Sequence, residues 1–234
     1  MITIKRILFL LVFLSCFQNI KAEIDEDKLG SWYMLFWNAP IKSNFGLQGD
    51  LQHRNWNIAG DLEQLLLRGG VTYTPKNTSI KFTLGYGHIT TGSFGEDNAK
   101  VFENRIYQEA LYPLKLGKRV YLNHRFRFEQ RFLTDNFKTR YRYNLFLNVP
   151  INNESFETNT IYLALYNEIF VGGYNQTLSS SETEHFDRNR FYSGVGYVIN
   201  KSLRVQLGYM NQHTNSWVKN QLQFSLHYNR PAKD

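Results

Sequence analysis

From Ser31 onward, apolar and polar residues alternate in segments of roughly 10 to 13 residues, the period of a strand whose two faces meet different surroundings. Eleven such segments can be marked, near 31–39, 45–55, 62–74, 79–91, 102–113, 119–132, 139–149, 159–171, 187–199, 202–213 and 218–228. No comparable stretch carries the period of an amphipathic helix. In Val120 to Phe132, Leu122, Phe126, Phe128 and Phe132 share one face, while Asn123, Arg125, Arg127, Glu129 and Arg131 share the other. The next segment repeats this, with Tyr141, Tyr143, Leu145, Leu147 and Val149 opposing Arg140, Arg142, Asn144 and Asn148.

Such alternation suits either a water-soluble sandwich or barrel with an apolar core, or a transmembrane barrel with lipid outside and a polar lumen. Length separates them, because globular strands average about 5 to 6 residues and tilted membrane strands need about 9 to 11. The segments here have membrane length. Aromatics near strand ends, Tyr73, Tyr86, Tyr112, Tyr121, Phe132 and Tyr228, suit interfacial girdles. Short turns (Pro40 to Asn44, Pro75 to Ser79, Lys115 to Lys118, Asn200 to Lys201) alternate with longer ones (Thr91 to Lys100, Leu133 to Lys138, Gly172 to Phe186), an asymmetry typical of outer-membrane barrels. The expected fold is therefore all-β, an antiparallel up-and-down transmembrane barrel of ten to twelve strands. Bacterial single-chain barrels have even strand numbers, which favours twelve. Eleven strands with a periplasmic N-terminus would need either one more strand or passage of residues 23–30 through the lumen.

Composition adjusts this picture at the N-terminus. Lys5 and Arg6 precede the apolar run Ile7 to Phe17, and Gln18 to Lys21 leads to Ala22, the order of regions in a secretory signal peptide. Residues 1–22 are assigned to that leader and 23–234 to the barrel. Cys16, after Phe13-Leu14-Ser15, makes an imperfect lipoprotein acylation pattern. Loss of the leader removes three bases and no acid from a formal net charge of +7, and takes the single cysteine with it. The mature chain is then only mildly basic and has no thiol chemistry. Its bases are interleaved with acids, which argues against a nucleic-acid partner. A mean hydropathy of −0.43 is that of a soluble chain, yet 16% aromatic residues is heavy, and helical membrane spans are excluded because no apolar run outside the N-terminus approaches the roughly 20 residues that one needs.

Glu103-Asn104-Arg105, Leu116-Gly117-Lys118 leading to His124-Arg125-Phe126-Arg127-Phe128-Glu129-Gln130-Arg131, Arg140-Tyr141-Arg142-Tyr143, Tyr166-Asn167-Glu168-Ile169-Phe170, Asp187-Arg188-Asn189-Arg190 and Leu207-Gly208-Tyr209-Met210-Asn211-Gln212 resemble an uncharacterised bacterial outer-membrane family, domain of unknown function 2490. The resemblance covers most of the mature chain and is most specific from Glu103 to Gln212. It implies a Gram-negative outer-membrane β-barrel with lipid around it, and brings no activity, substrate or catalytic residue.

The candidate functional residues are the polar rows. Facing the lumen, Glu103, Arg105 and Glu109 would lie beside Arg125, Arg127, Glu129 and Arg131, then Arg140 and Arg142, then Glu168, with Arg188 and Arg190 beyond. One reading is an ion-pair network that fills a narrow lumen, giving a structural or accessory barrel. A second is an anion-preferring constriction for small solutes, because four acids face eight arginines and rings of Arg select anions. A third is a lipid hydrolase with its site on the lipid-facing side, in which His88 and Thr90 share a face and Glu103 or Asn104 lies on the next strand. No cofactor is expected: the six histidines show no zinc spacing, and Gly69-Gly70, Gly172-Gly173 and Gly194-Val195-Gly196 are not followed by a phosphate-binding helix. These glycines are expected to relieve crowding in a curved sheet.

Overall fold

The computed structural model describes residues 29–42, 44–95, 99–177 and 185–231. The leader, Cys16 and residues 178–184 of the 172–186 connection lie outside the described residues. Eleven strands follow one another: β1 (Gly30–Lys42), β2 (Phe45–Asn55), β3 (Leu62–Tyr73), β4 (Lys81–Gly92), β5 (Lys100–Leu116), β6 (Val120–Leu133), β7 (Phe137–Pro150), β8 (Ile161–Asn175), β9 (Phe186–Asn200), β10 (Leu203–His213) and β11 (Val218–Asn229). Each coincides with one alternating segment of the sequence. Neighbours in sequence pair antiparallel, and β1 pairs with β11 to close a barrel.

The count is eleven rather than the favoured twelve. An odd number of up-and-down strands leaves the first and last pointing the same way, so closure has to be parallel. β1 and β11 accordingly run parallel, from Gly30 opposite Gln221 to Asn38 opposite Asn229. The seam gives both outer strands backbone partners, so that the sheet has no open edge. Among the described residues there is no twelfth strand.

The two faces are sorted opposite to those of a soluble barrel. Leu84, Phe126, Tyr141 and Leu207 point outward and are each more than half exposed, whereas Glu129, Glu168, Gln221 and Gln223 point inward and are almost fully buried. Tyr73, Tyr86, Tyr112, Phe132 and Tyr228 are exposed on the outer face, with Tyr86 lying mid-strand rather than at an end. Tyr121 departs from the expected girdle. It shares the inward face of Asn123 and packs edge-on against Phe156, with ring centroids 4.8 Å apart. Outward amides near the end that carries connections 176–185 and 214–217 are paired across strands. Asn167 donates to Asn189 at 3.0 Å and Asn211 to Asn220 at 2.9 Å, which spares them an unsatisfied polar group on an apolar surface.

The length asymmetry of the connections is weaker than expected. Residues 151–160 form a ten-residue loop at the end that otherwise carries the shorter turns, and 134–136 make a three-residue turn at the opposite end. The 151–160 loop is internally braced: Thr160 Oγ1 accepts from the Glu157 backbone N–H at 3.1 Å and from Asn153 Nδ2 at 2.8 Å. This bracing tucks Phe156 against Tyr162, 5.0 Å between centroids. At the 117–119 turn, Gly117 takes a φ of 58°, a conformation that side chains disfavour.

Candidate functional site: the lumenal charge network

Register sets the electrostatic problem that the lumen has to solve. Directly opposed inward residues include Arg105 and Arg131, and Arg127 and Arg142, like charges on neighbouring strands. Such pairs repel unless an anion is shared between them. A carboxylate sits at each crowded point. Glu103 accepts bidentate hydrogen bonds from Arg105 (2.6 and 2.9 Å) and from Arg131 (2.5 and 2.9 Å). Glu129 accepts from Arg142 Nη1 at 2.5 Å and lies 3.7 Å from Arg127 and 3.8 Å from Arg105.

These contacts close on themselves. Following ion pairs from Glu129 leads to Arg127 (3.7 Å), Glu109 (2.5 Å), Arg125 (3.8 Å), Glu168 (2.7 Å), Arg142 (2.6 Å) and back to Glu129 (2.5 Å), a ring of alternating charge. Glu129 is 1% exposed and Glu168 3%, so the ring has been taken out of bulk water. Arg190 joins it through Glu168 at 3.8 Å and donates to Gln212 at 2.6 Å. Ten of the twelve lumenal residues anticipated from the sequence thus share one network. Arg140 and Arg188 stand apart, flanking Asp187 at 3.0 and 2.6 Å.

Several members escape the sequence pattern. Asp50 receives Arg68 on both carboxylate oxygens, 2.7 Å at the shortest, and Glu63 accepts from Trp32 Nε1 and Gln221 Nε2, each at 3.2 Å. The surplus of arginine over acid also has an unforeseen answer in aromatic faces. Arg54 lies 3.7 Å and Arg190 4.8 Å from the centroid of Trp32, and Arg190 and Arg142 lie 4.7 and 4.5 Å from that of Phe170. Arg127 similarly rests 4.3 Å from Tyr107. A guanidinium over a desolvated ring gains about 2 kcal/mol or more, so these positive charges are stabilised without an equal number of carboxylates. The signal for Asp50 and Arg54 was the alternation Asp50-Leu51-Gln52-His53-Arg54. Phe170 shares the alternate positions of Tyr166 and Glu168, but an aromatic residue in an apolar stretch gave no sign that guanidiniums would rest on it.

Inward glycines seat inward rings. Tyr107 lies across from Gly85 and Tyr162 across from Gly196, and a Cβ at either glycine would overlap the opposing ring. The Gly194 to Gly196 stretch therefore makes room for side-chain filling.

His88 lies on the outer face, the side that the hydrolase reading requires. Its Nδ1 is 2.9 Å from Asn104 Oδ1, which also accepts from the Tyr86 hydroxyl at 2.7 Å. Glu103 faces inward and is held by two arginines. Among the described residues no hydrogen bond joins His88 to Thr90, so an orienting contact is present without a nucleophile contact. No group of three His, Cys, Asp or Glu is placed to hold a metal ion among the described residues.

Two cavities lie inside the barrel. One cavity of about 420 Å³ extends from Arg142 and Glu168 to Asn148, Arg204 and Asn229, at the end carrying the 151–160 loop. Another of about 640 Å³, lined by Arg131, Arg140, Asp187, Arg188 and Trp217, occupies the opposite mouth. No curated protein matches the chain. The family described as protein of unknown function DUF2490 matches residues 29–223, essentially the whole barrel, and the chain belongs to that family.

Proposed function

We propose that this protein is a bacterial outer-membrane barrel with a structural or accessory role, its lumen sealed near mid-height by the ionic ring. Support for membrane insertion comes from the inside-out sorting of residues and from strands of 11 to 17 residues, enough to cross an apolar layer when tilted. A leader at residues 1–22 would deliver it there. The observation that carries the seal is the closed circuit Glu129–Arg127–Glu109–Arg125–Glu168–Arg142, whose members bridge β5, β6, β7 and β8. An ion entering this zone would have to part charges that already satisfy each other, at a cost that bulk water does not repay. An eight-strand barrel is just filled by its side chains. Eleven strands leave a wider bore, and the bulky arginines and rings are what fill it.

The anion-channel alternative draws on the excess of bases, but aromatic faces engage much of that excess here. Planar-bilayer recording separates the two. Protein isolated from the outer-membrane fraction is expected to be electrically silent, and the Glu129→Ala, Arg142→Ala double variant, which opens the circuit at two adjacent members, is expected to give discrete steps. Regular anion-selective steps from wild type would overturn the sealed reading.

A further inference from the structure

The cavity below the ring has the chemistry of a binding site rather than a packing defect. Its acids, Asp50, Glu109 and Glu168, are each held by arginine at 2.7 Å or less. Its bases are more numerous, and two of them near the rim have no carboxylate within ion-pairing distance among the described residues. Lys81 meets only Asn38 Oδ1, at 3.5 Å, and Arg204 lies 4.7 Å from the Phe156 ring. Deeper in, two polar atoms on the lining have no hydrogen-bond partner. They are Arg125 Nε and Asn144 Oδ1, carried by cross-strand neighbours, and the Asn144 side chain is 2% exposed. Buried polar groups are almost always satisfied, and Arg125 Nε, whose nearest carboxylate oxygen is that of Glu109 at 3.8 Å, is a donor left for an anionic oxygen, while Asn144 Oδ1 calls for a donor such as a hydroxyl on the same ligand.

Aromatic rings supply the apolar part of the lining. Phe36, stacked on His227 at 4.9 Å, faces the cavity from β1, and Phe146 and Tyr166 line it beside Arg125, whose guanidinium lies 5.1 Å from the Phe146 ring. A pocket of several hundred Å³ with apolar lining and a few convergent polar groups is the usual form of a small-molecule site. We propose that this cavity binds a small organic anion: an anionic oxygen head group engaged by Arg125, Arg204 and Lys81, and an aromatic or aliphatic body lying against Phe36, Phe146 and Tyr166. The surplus of positive charge selects the head group and the aromatic rings select the body. Inorganic anions therefore fit only half of the site.

The proposal rests on the sealed reading only in treating the cavity as blind. Isothermal titration of the detergent-solubilised full barrel with benzoate and phenyl phosphate tests it, with benzylamine and inorganic phosphate as controls. Both aryl anions, or the one whose head group fits, are expected to bind, and benzylamine is not. Arg204→Gln and Lys81→Gln, which lie outside the ionic ring, are expected to weaken binding at least ten-fold while leaving the heat-modifiable folded band in place. Absence of binding by both aryl anions at millimolar concentration, equal binding of benzylamine or inorganic phosphate, or unchanged affinity in both folded variants would each overturn it. Wild-type protein that conducts but still binds benzoate would sink the seal and leave the site. Silent protein that binds neither aryl anion would sink the site alone.

Discussion

Two walls of one lumen are filled by different chemistry. The wall made by β5, β6 and β7 points Glu103, Arg105, Glu109, Arg125, Arg127, Glu129 and Arg142 inward, and fills its space with ion pairs. The wall made by β8 to β11 and β1 carries an apolar cluster instead, with Trp32, Tyr162, Ala164, Tyr192, Val198 and Met210 buried together beside Gln221 and Gln223. Both occupy the same bore, but they fail differently. The ionic wall depends on charge balance, whereas the aromatic wall depends on volume.

The largest expected effect lies in the ionic wall. Glu129→Ala removes the carboxylate that faces Arg105, Arg127 and Arg142 and leaves those guanidiniums buried without it. Breaking a buried pair by deleting one partner costs about 3–5 kcal/mol, a loss that urea unfolding of the barrel in lipid vesicles would read directly. A cost below about 1 kcal/mol would mean that the ring behaves like a solvated surface network.

Legibility from sequence follows the same division. The strands of the ionic wall could be placed and their inward residues named, because Arg and Glu at every second position leave no doubt about which face is polar. In β1 the alternation is weakest: Trp32-Tyr33-Met34-Leu35-Phe36-Trp37 is apolar on both faces, since Trp32 enters the inner cluster while Tyr33 faces out at 45% exposure. Trp32, the ring on which Arg54 and Arg190 rest, therefore could not be assigned from periodicity, whereas Phe170 shares the alternate positions of Glu168 and only its role as a platform for Arg142 and Arg190 was hidden. The parallel seam was equally hidden. Alternation fixes which residues share a face, but it does not state which strand is the neighbour or in which direction it runs.

A smaller effect is expected in the aromatic wall. Gly196→Ala places a methyl group where the Tyr162 ring now lies. Tyr162 is 1% exposed and its hydroxyl accepts from Gln206 Nε2 at 3.0 Å, so the ring cannot swing aside without losing that bond. Overpacking of this kind costs about 1–3 kcal/mol. The same urea titration should show it, and full recovery in Gly196→Ala combined with Tyr162→Leu would tie the loss to volume and not to strand conformation.

The smallest net effect sharpens the comparison most. Asp50 and Arg68 form a compact pair away from the ring, with side chains 9% and 6% exposed. If the lumen needs filling more than it needs charge, replacing both residues with apolar groups of similar size should be tolerated, because two desolvation penalties disappear together with one attraction. Asp50→Leu with Arg68→Met is therefore expected to unfold within about 1 kcal/mol of wild type, while Asp50→Leu alone leaves Arg68 unpaired and falls well below it. Gln52 Nε2, which donates to Asp50 Oδ1 at 2.6 Å, loses an acceptor in both variants and so cancels from their difference. A double variant as unstable as the single one would show that charge itself, and not occupied volume, holds this part of the bore together, and the distinction between the two walls would then be one of composition only.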